Sequence, residues 1–151
     1  MKLQRTFTFI AGVFFAVGFA ASQASAGVPT TDCGLEIEVN ALRAGAKTIA
    51  WGPNQSTSVT TKARILKGTA VSGTTIATTL QIEAVDGTDV ISTNTTGPIT
   101  LGVGKGGKGA KLSMAISRCS TGFINFVATF FGTDDLGATC EGVRELRKDC
   151  K

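Results

Sequence analysis

The chain has 151 residues, with 15 Lys and Arg against 11 Asp and Glu, and contains neither His nor Tyr. Without His, Ser-His-Asp and Cys-His nucleophilic sites are excluded. The basic excess is small, which argues against a dedicated nucleic-acid binder, because such a protein concentrates many Lys and Arg residues on one face.

Residues 1–26 have the three parts of a secretory signal peptide. Two basic residues precede an apolar run from Phe7 to Ala21, and an Ala-Ser-Ala motif ends at Ala26. This run is short against the ~20 residues that cross a bilayer. We therefore expect cleavage after Ala26 and no transmembrane anchor. Cleavage would remove two basic and no acidic residues, so the net charge of 27–151 is about +2.

The exported chain, 27–151, fits one domain and shows the two-residue alternation of strands. In LEIEVN, which begins at Leu35, apolar and polar residues alternate. The pattern recurs in SVTTKARIL, TLQIEAV, ITLGV, KLSMAIS and FINFVATFF. We expect an antiparallel β-sandwich of about seven strands with ATCEGVREL as the last one. The other strands are expected to begin near Leu35, Thr48, Ser58, Thr79, Val90, Ile99 or Lys111, and Phe123.

Turn residues separate these segments. Asp86-Gly87 suits the positive φ angles of a tight hairpin. Pro53 and Pro98 are expected to break strands, because proline cannot donate a hydrogen bond to a ladder. Residues 133–137 are expected to connect the last two strands.

The strand order along the chain resembles that of immunoglobulin-like modules of bacterial surface proteins. The resemblance rests on KARILKGTAVSGTTIATTLQIEAVDG, a Gly-rich connection, KLSMAIS and FINFVATFF. Such modules include cell-adhesion-related and fibronectin-type-III-like ones. The resemblance implies an adhesion, scaffold or binding role. The chain departs from true immunoglobulin domains because Trp51 lacks the Cys-Trp-Cys spacing and no corner Tyr exists.

All four cysteines lie in the exported part, and an even number there indicates disulfides. A hairpin around 133–137 brings Cys119 near Cys150. In an immunoglobulin-like arrangement, the start of the first strand brings Cys33 near Cys140. We expect these two bonds, one of three connectivities.

The segment GVGKGGKGAK, 102–111, matches GxxxxGK, but Gly109 stands where a phosphate-binding loop needs Ser or Thr. A strand follows it rather than the helix that would bind phosphate. We therefore expect no nucleotide. Its lysines are either part of a solvated turn or face an anionic partner such as a phosphorylated glycan, lipid headgroups or an acidic protein. These candidates are Lys105, Lys108 and Lys111.

Carboxylates offer two further kinds of site. Glu36 with Glu38, and Asp134 with Asp135, are candidate acid/base pairs, but glutamates two residues apart on a strand are what a solvated strand face shows. Acidic turn residues could also bind calcium, but turn chemistry explains them without a metal. These turn residues are Asp86, Asp89, Asp134 and Asp135. We expect no catalytic residues, metal or cofactor.

The strand FINFVATFF is apolar on both sides, unlike a strand that faces water on one side. Either it is covered on both faces or its second face contacts a partner. The candidate apolar contact is Phe123, Val127 and Phe131.

The sequence therefore predicts a non-catalytic binding, adhesion or structural module of the bacterial envelope or extracellular space. A secreted carboxylate-dependent hydrolase or inhibitor-like protein is one alternative. A subunit of an extracellular assembly is another. Partners are expected to be a protein, a glycan or a second copy of the chain.

Overall fold

The computed structural model describes residues 33–66 and 75–151, so the predicted signal peptide, 1–26, lies outside the described residues. These residues form seven β-strands and no helix. The strands are β1 (Ile37–Ala44), β2 (Ser56–Ile65), β3 (Thr75–Asp86), β4 (Asp89–Gly102), β5 (Lys108–Ala115), β6 (Phe123–Thr133) and β7 (Thr139–Asp149).

The strands form two antiparallel sheets. One has the order β1-β2-β5 and the other β4-β3-β6-β7. One apolar core includes side chains of both sheets, such as Val59 and Ile65 from the first and Leu80, Phe126 and Phe130 from the second. The expected all-β, two-layer architecture is confirmed.

Alternation in the sequence explains which side chains form this core. Along β3, Ile76, Thr78, Leu80 and Ile82 are buried while the residues that alternate with them are exposed or half-buried. Along β6 every second residue from Ile124 onward is buried. Successive side chains of a strand point to opposite faces, so one face of β3 and of β6 lies in the core and the other remains outside.

One expected strand is wrong, and one pair of alternatives is resolved. No strand begins near Thr48, where the connection from β1 to β2 makes only a one-residue bridge, between Ile49 and Cys150. Ile49 is nevertheless buried in the core. Of the alternatives Ile99 and Lys111, Lys111 is the better, since β5 begins at Lys108. Ile99 does not begin a strand of its own, because β4 continues without a break from Asp89 to Gly102.

Pro98 accordingly lies within β4 and does not break it. β4 is at the edge of its sheet, so one side of its backbone has no neighbouring ladder. On the other side the register shifts between Thr78 and Leu80, which pair with Ile99 and Thr96. A proline is accommodated at such an edge-strand irregularity because no ladder hydrogen bond is required there.

Two disulfides close opposite ends of the sandwich. Cys33–Cys140, with Cα atoms 5.7 Å apart, joins the start of β1 to the start of β7. We call this the Cys33 end; it includes the β6–β7 turn. Cys119–Cys150, with Cα atoms 6.5 Å apart, lies at the Cys119 end, beside the β3–β4 turn. Both pairs are the ones expected from the sequence, and they indicate an oxidising environment.

Side-chain contacts also join the two sheets at their edges. The Arg144 guanidinium donates to the Val39 carbonyl at 3.1 Å, which joins β7 to β1. The Asn94 amide donates to the Ser113 carbonyl at 3.0 Å, which joins β4 to β5. These contacts join the two sheets along both edges of the core. The broad surfaces of the sandwich are therefore the outer faces of its two sheets.

Candidate binding faces and end sites

The glycine-rich segment does not form one lysine-bearing loop. Lys105 lies in the connection between β4 and β5, whereas Lys108 and Lys111 belong to β5. Since Lys108 and Lys111 are three residues apart in a strand, they lie on opposite sides of it. The expectation that all three lie together on an exposed loop is wrong.

Gly109 of this segment has a packing role. A Cβ atom at Gly109 would lie 1.8 Å from the Thr61 carbonyl oxygen, closer than any real contact. β2 and β5 approach each other closely at this point, where Lys62 pairs with Gly109. The glycine that stands where a phosphate-binding loop needs Ser or Thr thus fits the close contact of two strands.

Cations gather on the outer face of the β1-β2-β5 sheet, which we call the basic face. Thr60 of β2 pairs with Arg43 of β1 on one side and with Lys111 of β5 on the other. Lys62 lies two residues further along β2, so it is a diagonal neighbour of both cations. Arg43, Lys62 and Lys111 are exposed.

No ion pair neutralises this group within 33–66 and 75–151. Arg64, further along β2, does pair with Glu38 of β1. Arg43, Lys62 and Lys111 form none of the ion pairs of the described residues. Their charges are therefore available to an anionic partner.

The outer face of the β4-β3-β6-β7 sheet, which we call the acidic face, has an apolar stripe along β6. This stripe is Phe123, Val127 and Phe131, all of them half-buried. The Arg147 guanidinium lies 3.5 Å from the centroid of the Phe123 ring and covers part of it. Such a cation–π contact is favourable and leaves the remaining apolar surface open.

Carboxylates border the apolar stripe on both sides. Val127 pairs with Glu83 of β3 and with Glu145 of β7, and Phe131 pairs with Glu141 of β7. Neutral donors orient two of these groups: the Gln81 amide donates to Glu83 at 2.8 Å, and the Asn125 amide donates to Glu145 at 3.0 Å. The face combines apolar and negative groups, which is the opposite chemistry to the basic face.

Asp86 is a buried acid at the Cys119 end. Its carboxylate accepts hydrogen bonds from the backbone amide and hydroxyl of Ser120 at 2.8 and 2.7 Å. It also accepts bonds from the amide and hydroxyl of Thr121 at 3.1 and 2.8 Å. These donors, Ser120 first, hold the pKa of Asp86 well below its ordinary value of 3.8, although burial acts in the opposite direction. The group is fully used in holding the β5–β6 connection.

Asp134 has a related role at the Cys33 end. Its carboxylate accepts from the amides of Gly34, Leu136 and Ala138 at 2.9, 3.0 and 2.8 Å. The Gly34 amide is the largest cause that lowers the pKa of Asp134. The Cys33 and Cys140 sulfurs lie close enough to this carboxylate to form a metal-like cluster. However, both sulfurs are bonded in a disulfide, and metal binding requires thiolates.

The carboxylates of the two candidate acid/base pairs have different surroundings. Glu38 pairs with Arg64 on the basic face, whereas the carboxylate of Asp134 is buried and bound by backbone amides. A general acid at neutral pH needs a raised pKa, and the pKa of Asp134 is lowered. Asp135, beside it in the turn, is exposed.

Sequence reasoning missed the basic face and the structural role of the buried aspartates. Lys62 and Arg64 are two residues apart in β2 and therefore lie on the same face. Arg43 and Lys111 come to lie beside Thr60 only through the register of strand pairing. For Asp134 the signal was present, because Asp in a turn often accepts hydrogen bonds from nearby amides. The donors to Asp86 lie 34 and 35 residues away, so no local pattern shows its role.

Comparisons with protein-family models, with curated proteins and with solved structures found no match for the chain. Among the described residues, no helix has the length and apolar character to span a membrane.

Proposed function

We propose that the chain is a secreted, non-catalytic binding module with an immunoglobulin-like fold, which acts in the bacterial envelope or outside the cell. The strand order supports this fold. In immunoglobulin constant domains the first, second and fifth strands share a sheet, and the third, sixth and seventh share the other. The same grouping occurs here. β4 differs, since it pairs with β3, whereas the fourth strand of a constant domain joins the other sheet.

The basic face is the observation that carries the binding role. Three exposed cations on three adjacent strands surround Thr60, and none of them forms an ion pair with the described residues. Like charges grouped in this way repel one another, so a surface with no partner has no reason to collect them. An anionic partner would remove that repulsion. The partner chemistry that fits is therefore a surface of carboxylates or phosphates.

The arrangement of acids supports a non-catalytic role. The buried carboxylates of Asp86 and Asp134 hold backbone segments, and Glu38 holds Arg64. Lowered pKa values at Asp86 and Asp134 favour permanently charged structural groups over proton donors.

A charge-reversal experiment tests this proposal. Arg43→Glu/Lys111→Glu should weaken binding to vesicles of phosphatidylcholine and phosphatidylglycerol, at about a three-to-one ratio, by at least tenfold. Lys47→Glu/Lys151→Glu, at exposed positions outside the three strands of the basic face, is the control with the same charge change. Lys105→Glu/Lys108→Glu tests whether the β4–β5 connection and the first residue of β5 contribute.

The expected result is a selective loss in the basic-face variant, together with weaker binding of the natural protein in high salt. Equal losses in the basic-face and control variants would mean that net charge alone matters. That result, or binding that ignores salt, would contradict the proposal.

A further inference from the structure

We infer that the anionic partner of the basic face is the acidic face of a second copy of this chain. The inference rests on the proposed function and names its partner. It predicts that copies associate face to face, with the β4-β3-β6-β7 sheet of one against the β1-β2-β5 sheet of the next.

Charge complementarity is the first support. The basic face carries Arg43, Lys62 and Lys111 without ion-pair partners among the described residues. The acidic face carries Glu83, Glu141 and Glu145 around its apolar stripe, and Arg147 is engaged with Phe123. One molecule thus presents the two signs on opposite sides. Opposed charges steer copies into a single relative orientation and disfavour contact between like faces.

Matching spacing is the second support. Arg43 and Lys111 stand on the two strands that flank Thr60. Glu83 and Glu145 stand on the two strands that flank Val127. Each pair therefore spans two strand spacings, or roughly 10 Å. With β6 of one copy above β2 of the next and the strands nearly aligned, as in packed sheets, both cations meet carboxylates.

Apolar burial is the third support. In this orientation Val127 lies over Thr60, and the stripe of Phe123, Val127 and Phe131 leaves water. Burial of this surface adds a hydrophobic contribution to the charge pairing. It also answers the question raised by FINFVATFF: the outer side of β6 is apolar because it is a contact surface.

The size of the faces sets the strength of the association. Three strands of about eight residues cover roughly 400 Å² per copy. A contact of about 800 Å² in total is below the ~1,200 Å² of a standard stable interface. Association should therefore be weak in dilute solution. Because two different faces meet, the contact is heterologous, and repeated copies form a ring or a filament rather than a closed dimer.

Sedimentation velocity on the secreted, disulfide-bonded protein tests the inference from about 10 μM to about 1 mM, concentrations suited to an interface of this size. The natural protein should associate in about 0.05 M salt and dissociate in about 0.5 M salt. Two variants should each remain monomeric: Arg43→Glu/Lys111→Glu, in which both faces are acidic, and Glu83→Lys/Glu145→Lys, in which both are basic. An equimolar mixture of the two should associate again, because every contact then joins opposite charges.

Rescue by mixing distinguishes paired faces from a general effect of charge. Thermal melts of each variant establish that it is folded, and Lys47→Glu/Lys151→Glu should associate like the natural protein. A monomeric natural protein at the highest concentration in low salt would overturn the inference, as would variants whose mixture stays monomeric. A natural protein that is monomeric but binds phosphatidylglycerol vesicles through Arg43 and Lys111 would overturn self-association and leave the proposed function intact. A natural protein that neither associates nor binds the vesicles would overturn both the inference and the proposed function.

Discussion

The two ends of the sandwich are closed by the same two kinds of bond in different proportions. At the Cys33 end the disulfide joins residues 107 apart in sequence, and Asp134 accepts one hydrogen bond from the Gly34 amide, 100 residues away, and two from its own turn. At the Cys119 end the disulfide spans 31 residues, and the carboxylate of Asp86 accepts four hydrogen bonds from Ser120 and Thr121, 34 and 35 residues away. The Cys33 end thus has the longer covalent loop, and the Cys119 end has more long-range hydrogen bonds.

This difference predicts which end each treatment should loosen more. Reduction opens the longer covalent loop at the Cys33 end, whereas acid protonates the carboxylate that accepts four long-range hydrogen bonds at the Cys119 end. Reduction should therefore loosen the Cys33 end more, and acid the Cys119 end more. Hydrogen exchange near β1 and in the β5–β6 connection would report the two responses separately.

Removal of the disulfides should have the largest effect. In the chain-entropy description, closing 107 residues stabilises by about 5 kcal/mol and closing 31 residues by about 4 kcal/mol. Cys33→Ala/Cys140→Ala should therefore lose about 1 kcal/mol more than Cys119→Ala/Cys150→Ala. Guanidinium unfolding of both variants measures the free energies of unfolding. An equal or reversed order would show that strain or residual structure outweighs loop length.

Acid sensitivity should have the next largest effect. The pKa values of both aspartates are lowered in the fold from 3.8. Because the folded state holds these protons more weakly than the unfolded state, the stabilisation is complete well above pH 3.8. It is lost as the pH falls below 3.8 toward the folded values. Asp86→Asn should lower the melting temperature at neutral pH by several degrees and flatten its decline in acid. Asp134→Asn should do so less.

Asp135→Asn, in the same turn as Asp134, is the matched control for the amide substitution. Because Asp135 is exposed, this variant should melt like the natural protein throughout the range. A decline in acid that stays unchanged in Asp86→Asn would contradict the role given to the carboxylate of Asp86.

A feature of this fold can be predicted from the sequence when it depends on local alternation. It cannot be predicted when it depends on which strands pair and in what register. Alternation locates β6 and β7 to within a few residues, because every second residue of β6 from Ile124 onward is buried, as are Cys140 and Gly142 at the start of β7. The same reasoning fails at Ile49, a buried core residue that forms one isolated bridge and no strand. It also fails at Pro98, because a sequence does not reveal which strand is an edge. The basic face could not be predicted, since Arg43 and Lys111 meet at Thr60 only through strand pairing.

The smallest effects should come from the turn glycines, one at each end. Gly87 and Gly137 have φ angles of 67° and 84°, in the region that favours glycine. Alanine at either position should cost about 1 to 2 kcal/mol from backbone strain. An added Cβ at Gly137 meets open space, but at Gly87 it would lie 3.2 Å from the Thr121 side chain, in the segment that Asp86 holds. Gly87→Ala should therefore destabilise more than Gly137→Ala, as measured by thermal unfolding.

Gly106→Ala, where a Cβ also meets nothing and φ is not in the glycine region, is the control. If Gly137→Ala proved the more damaging, the β6–β7 turn and not the β3–β4 turn would be the more tightly coupled end.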